Sequence, residues 1–283
     1  MTKRYNYILF LIFVLIIVSG TLDAQLAESK KIEWKRERVA KGIVWKHTHM
    51  VFEDTLLQNI NMLVINTRKR ELSLSYNPAK NIRTGLQAEE AGAIAAVNGG
   101  FFNVRDGGSV TYIRMAGMIV DSDTATRWKE NANLNGAILV DAGGKVSITK
   151  EMPNQWFDSH PEYVYVLVTG PSLIENSKKA VLPESSLVKT RHPRTAMGKT
   201  GKHKVVLLTV DGRTSQSAGM SLHELTGFML RLNCTDAVNL DGGGSTTMWI
   251  SGKPYGGIVN MPCDNAKFDH EGARAVSNAI IVK

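Results

Sequence analysis

The sequence predicts an α/β or α+β fold, with mixed, partly parallel sheets flanked by helices and a strand-rich N-terminal part. Four observations point there. Residues 204–210 form an almost continuously apolar run, the pattern of a strand buried on both faces. From Ser221 to Leu232, the residues Leu222, Leu225, Met229 and Leu232 fall at helical spacing and Phe228 widens the apolar face. Ala237 to Leu240 is apolar again, so strand, helix and strand follow one another as in a right-handed crossover. Between residues 42 and 80, Ile43, Trp45, Leu63, Ile65, Leu72, Leu74 and Tyr76 recur with period two among polar neighbours.

Taken in order, the chain begins with Lys3 and Arg4, then an apolar run from Ile8 to Val18, then small and polar residues up to Ala24. This is the layout of a secretory signal peptide, residues 1–24, cleaved after Ala24. The alternative is an uncleaved anchor, but the run is short of the roughly 20 residues a span needs. The protein is therefore expected to be exported, periplasmic or secreted, with no stable membrane span after cleavage. Residues 25–283 then read as one domain with a motif-bearing core at about 90–283, since no linker or repeat divides them.

Arg68-Lys69-Arg70 is a turn between strands, and a short helix covers Thr84 to Ala91. Ala93 to Val97 is a small buried strand ending at Asn98-Gly99-Gly100-Phe101-Phe102. Strands and turns return over 109–150, and Tyr163 to Val168 is another strand. Residues 173–190 show no usable period and are expected to be a loop or lid. Ser221 is a good N-cap with Glu224 three residues on, a capping box. Ala275 to Val282 is a last strand.

The formal net charge is +8 and 43% of the residues are hydrophobic. A basic globular chain favours anionic partners. Its positive residues are dispersed and no nucleic-acid motif accompanies them, so a phosphorylated or anionic glycan suits the charge better. The two cysteines, Cys234 and Cys263, would suit one disulfide in an exported chain or two buried thiols.

The chemistry-bearing residues stand at strand ends. Asn98 ends one apolar strand, Asp211-Gly212-Arg213 follows a second, and Asn239-Leu240-Asp241-Gly242-Gly243-Gly244-Ser245 follows a third. In open α/β sheets that edge is where ligands bind. The glycine turn could form a nest of N–H groups for an anion, or be a plain glycine-rich hairpin. His192-Pro193-Arg194-Thr195 offers a proton carrier, a bidentate anion contact and a hydroxyl donor, or a plain basic turn. Arg213 is a second arginine clamp and Arg274 a third, unless Arg274 only pins the terminus. Ser245 lacks the nucleophile-elbow pattern, and the dinucleotide, phosphate-loop and two-histidine zinc motifs are absent. No cofactor is certain. Asp211 and Asp241 are the residues suited to hold a divalent cation such as calcium or magnesium, with no third ligand in view.

Two carboxylates beside a sugar bond suit glycoside hydrolysis. A phosphate leaving group needs little acid help, and arginines and N–H groups can carry its developing charge. Either Asp211 or Asp241 would then activate water or attack carbon.

Together these motifs resemble the phosphodiester glycosidase family. They occur in the family's order over roughly residues 90–283, closing with Arg274 and Asn278. The resemblance implies hydrolysis of a glycosyl phosphodiester, releasing a sugar and leaving a phosphomonoester. It carries to Asn98, Arg194, Asp211, Arg213, Asp241 and the Gly242 to Gly244 turn. The rival reading is a non-catalytic binding or assembly factor for an envelope or extracellular anionic polysaccharide. An ordinary glycosidase is the second rival.

Overall fold

Antiparallel pairing runs through every named sheet. The structure, a computed structural model, describes residues 32–52, 55–121, 131–150 and 152–283, and Trp34–Lys283 form one compact unit. The segment read as a signal peptide lies outside the described residues. None of the described helices is long and apolar enough to cross a membrane.

The largest sheet has eight strands, in the spatial order Lys35–Ala40, Ile43–Phe52, Leu56–Asn66, Lys204–Val210, Arg194–Gly201, Asp236–Asn239, Ser172–Glu175 and Lys178–Lys179. A five-stranded sheet orders Val146–Lys150, Gly136–Asp141, Tyr163–Thr169, Ile113–Met115 and Met118–Asp121. A four-stranded sheet orders Met248–Ile250, Ala95–Asn98, Asn278–Val282 and Leu72–Tyr76. Ala275–Val276 pairs separately with Ile82–Arg83, so the expected last strand breaks at Ser277 between two sheets.

The expected partly parallel α/β arrangement is therefore overturned: the fold is β-rich and antiparallel. The crossover unit exists, but its two strands are not neighbours. Arg194–Gly201 lies between Lys204–Val210 and Asp236–Asn239, antiparallel to both. An earlier stretch of chain fills the place that a parallel partner would take. The apolar run Lys204–Val210 is buried for the same reason, since Leu56–Asn66 flanks its other edge. Residues 173–190 are also not a loop or lid. They hold a hairpin on the sheet edge and the short helix Ser186–Lys189.

Helix Leu222–Arg231 forms as its sequence dictates. The Ser221 hydroxyl accepts the Glu224 N–H at 3.2 Å, and the Glu224 carboxylate accepts the Ser221 N–H at 2.8 Å. Such a cap is worth about 1 kcal/mol. Leu222, Leu225, Phe228 and Met229 turn inward and are buried. The largest apolar cluster joins Leu63 and Leu207 of the eight-stranded sheet to Ile138 and Leu167 of the five-stranded one and Val97 and Ile280 of the four-stranded one. All three sheets thus share one core, and strand ends from the first and third meet at its rim.

Candidate active site

Asn98 joins those strand ends. It is 0% exposed at the end of Ala95–Asn98. Its Oδ1 accepts the Thr195 hydroxyl at 2.7 Å and the Thr247 N–H at 3.1 Å. Its Nδ2 donates to the Asp241 backbone carbonyl at 2.7 Å. The Asp241 N–H in turn donates to the Gly99 carbonyl at 3.0 Å. Asn98 therefore positions Asp241 from the adjoining sheet. Asn278 plays a similar part, accepting the Gly100 N–H at 2.7 Å.

The glycine turn is built around protein groups. Gly242 N–H donates to Asp241 Oδ1 at 3.0 Å, and Gly243 N–H to the Pro193 carbonyl at 2.8 Å. The N–H groups of Ser245, Thr246 and Thr247 go to Gly242, Gly243 and Asn98. The Gly242 and Gly243 N–H groups are thus taken up by protein acceptors, while the Gly244 N–H makes no such bond among the described residues, so the turn leaves one of its glycine donors for an anion rather than a full nest. Gly243 has φ of 61°, the left-handed region that glycine enters without steric cost. A Cβ at Gly244 would lie 1.8 Å from Asp264 Oδ1, so a side chain there is excluded. The Thr246 and Thr247 hydroxyls are buried without a hydrogen-bond partner among the described residues, and the buried Ser245 hydroxyl faces the Asp241 carboxylate.

The turn aims Asp241 at a cleft of about 500 Å³, lined also by Arg274 and by the 101–106 loop, including Asp106. Burial pushes the Asp241 carboxyl up to about 6, against the opposing pull of the Ser245 hydroxyl, the Gly242 N–H and the Arg274 charge. Arg274 is held by a two-pronged pair with Asp264, Nε to Oδ2 and Nη2 to Oδ1, both at 2.7 Å. That pair raises the Arg274 pKa, so the guanidinium stays charged beside Asp241.

On the other side of the turn stands Arg213, at φ of 63°, its Nη2 3.0 Å from where a Gly243 Cβ would be. Its nearest polar partner is His192 Nδ1, at 3.3 Å. Burial first, then the charges of Arg194 and Arg213, lower the His192 pKa. No carboxylate among the described residues bonds to Arg213. It is an exposed cation held in place with its charge unmatched.

Arg194 and Asp211 are enclosed, and neither lines the cleft of Asp241 and Arg274. Arg194 is 1% exposed, with Nε bonded to the Met220 carbonyl and Nη2 to those of Leu187 and Thr190, each at 2.7 Å. It ties helix Ser186–Lys189 to the sheet. Asp211 is likewise 1% exposed. Its Oδ2 accepts Asn59 Nδ2 at 2.6 Å and the Met261 N–H at 3.0 Å, and its Oδ1 accepts Asn260 Nδ2 at 2.8 Å. Burial raises its carboxyl to about 6 as well. Because a strand separates the Asp211 and Asp241 strands, two strand spacings, about 10 Å, lie between them across the sheet.

That donor set does not fit a calcium or magnesium ion shared by Asp211 and Asp241. Asp211 is enclosed and its oxygens already accept three hydrogen bonds. Among the described residues no three His, Cys, Asp or Glu side chains gather as metal ligands. Of the two states the sequence left open for the cysteines, the structure has the second: Cys234 and Cys263 are both free and buried. Cys234 packs under Gly198, whereas Cys263 Sγ lies 4.0 Å from Arg213 Nη1.

The structure thus gathers Asn98, Thr195, Asp241, Gly242 to Ser245 and Arg274, sets His192 and Arg213 beside them, and holds Arg194 and Asp211 behind. Sequence reading missed the 101–106 loop, Asp264, Asn59 and Asn260. The Asn-Gly-Gly-Phe-Phe motif was the signal for the first. The others act by contacts across long sequence separations and carry no local pattern.

A family model described as phosphodiester glycosidase matches residues 91–283. The Bos taurus N-acetylglucosamine-1-phosphodiester alpha-N-acetylglucosaminidase is 29% identical over 187 residues, 64% of this chain and 34% of that protein. The Homo sapiens enzyme of the same name is 27% identical over 187 residues, 64% of this chain and 35% of that protein. The matched segment is about a third of the length of these relatives. Among solved structures, the zebrafish catalytic domain of that enzyme, auto-inhibited by its pro-peptide, superimposes with a TM-score of 0.68 at 17% identity, covering 91% of this chain and 90% of the other. A hypothetical protein from Synechocystis superimposes with a TM-score of 0.65 at 15% identity, covering 90% and 64%. At such identities the structural likeness is one of fold.

Proposed function

Since the chain belongs to the phosphodiester glycosidase family, we propose that it hydrolyses a glycosyl phosphodiester, releasing the sugar and leaving a phosphomonoester. One observation carries the reading: Asp241 lines the cleft beside the charged Arg274, with the unmatched cation of Arg213 across the glycine turn. Asp241 in its ionised form either takes a proton from attacking water or attacks the anomeric carbon itself, in which case a water molecule then hydrolyses the glycosyl ester so formed and frees the sugar. The bond from that carbon to the phosphate oxygen breaks, and its electron pair leaves with the phosphate. Arg213 and Arg274 offset that charge as it develops on the phosphate.

Asp211 supports this site without touching substrate. It fixes Asn260 and Met261, which begin the segment leading to Asp264 and Arg274. The N-terminal residue pattern supports export to the periplasm or beyond, and the anionic substrate matches the basic chain.

The test is a panel of sugar-1-phosphate diesters followed by phosphorus NMR, with Asp241→Asn and Arg213→Met as controls. Release of phosphomonoester, lost in Asp241→Asn and shifted to higher KM in Arg213→Met, is expected. Saturable binding of every diester without turnover would instead make the protein a polysaccharide-binding factor. Cleavage of phosphate-free glycosides, insensitive to Arg213→Met, would make it an ordinary glycosidase.

A further inference from the structure

A second groove, of about 570 Å³, lies beside the cleft and is lined by Tyr255, His270, Arg83, Glu89 and Glu271, with Leu86 among its apolar residues. Tyr255 is 68% exposed, an unusual place for a large ring. Its backbone is at φ of 58°, a conformation that non-glycine residues rarely adopt. One face of the ring is stacked on His270, with centroids 4.2 Å apart and planes at 14°. His270 is itself anchored, its Nδ1 2.8 Å from the Asn260 carbonyl. The ring is thus a fixed platform rather than a wandering surface side chain. Around it, the head groups of Arg83, Glu89 and Glu271 make no hydrogen bond or ion pair to the described residues.

This groove and the Asp241 cleft share a wall. Ala273 lines the groove and the next residue, Arg274, lines the cleft. Arg83 pairs with Ala275 across the short two-stranded sheet. Asn81, two residues before Arg83, donates from Nδ2 to the carbonyls of Asn103 and Val104 in the 101–106 loop.

We propose that the groove is a subsite for a neutral pyranose unit of a longer glycan. The flat carbon–hydrogen face of a pyranose stacks on an exposed aromatic ring, and ring hydroxyls donate hydrogen bonds to carboxylates and accept them from guanidinium groups. A concave site with one aromatic wall and a few convergent polar groups has the composition of a small-ligand site. The choice of a sugar as ligand rests on the proposed glycosidase reading; the groove itself does not. The subsite would select substrates in which the scissile linkage is one unit of an oligosaccharide rather than the whole ligand.

The experiment is saturation-transfer NMR of the intact protein with neutral tetrasaccharides of glucose, mannose and N-acetylglucosamine. At least one is expected to bind, with about tenfold weakening in Tyr255→Ala, retention in Tyr255→Trp and no change in Asp241→Asn. A thermal melt of Tyr255→Ala separates loss of the platform from loss of the fold, and Glu271→Gln provides a second variant that leaves the stack intact and is expected to weaken binding. No binding by any tetrasaccharide, or binding that survives Tyr255→Ala unchanged, overturns the proposal. Binding that persists when no sugar-1-phosphate diester is hydrolysed upholds the subsite and overturns the hydrolytic reading instead.

Discussion

Asn98 Nδ2 donates to the backbone carbonyl of Asp241 at 2.7 Å, across a separation of 143 residues. That bond, with the two that Asn98 Oδ1 accepts, fixes the acidic residue of the cleft from a different sheet. The placement of Asp241 is a tertiary property.

Asn98→Ala should therefore reduce both stability and turnover. It leaves the Thr195 hydroxyl and the Thr247 N–H without their acceptor in a buried place. An unpaired buried group costs about 1–3 kcal/mol. A urea melt should show a lower midpoint with an unchanged slope, and a midpoint equal to the parent's would refute the role given to Asn98.

Asp241→Asn should lower kcat/KM for a cleavable diester by about 10²–10⁴-fold, the range of a positioned proton-transfer group. The fold should survive, because the Asn oxygen can still accept the Gly242 N–H. Comparable turnover by this variant would move the chemistry elsewhere, with Asp106 of the cleft the next residue to test.

The raised carboxyl of Asp241 sets opposing pH trends for activity and stability. Chemistry that needs the ionised form should rise with pH through about 6 in kcat/KM. Stability runs the other way. Asp211 and Asp241 both have folded-state values near 6, above the ordinary 3.8. Their contribution relative to the unfolded chain is fully present below about 3.8 and is lost as pH climbs towards 6. Melting temperatures across that window should fall in the parent and fall less in Asp241→Asn. An activity profile flat between pH 5 and 7 would contradict the assignment.

Gly244→Ala should uncouple Arg274 from Asp264, because the added methyl would sit 1.8 Å from Asp264 Oδ1. Loss of activity exceeding any loss of stability is expected, read from kcat/KM beside a thermal melt. A variant as active as the parent would show that this pair does not shape the cleft.

Both cysteines should titrate as thiols. Burial pushes Cys234 up to about 12 and raises Cys263, so neither should react quickly in the native protein. In denaturant without reductant, two equivalents should react, matching the free Cys234 and Cys263. No reaction there would restore the disulfide.

Local chemistry made part of this molecule readable. The capping box of Ser221 and Glu224, the spacing of Leu222, Leu225 and Met229, and the apolar run 204–210 are each enforced by neighbours within a few residues. The motif order that marks the family is also a linear property, and it singled out Asn98, Asp241 and the glycines. What the sequence could not encode locally was which strand lies beside which. Arg194–Gly201 enters between two strands that read as partners, and that insertion turns a parallel expectation into an antiparallel sheet. The same insertion separates Asp211 from Asp241, leaving one enclosed among Asn59, Asn260 and Met261 and the other facing the cleft. Two aspartates in like sequence settings thus differ because hydrogen-bond partners and burial are assigned by packing across long separations, which only the folded chain decides.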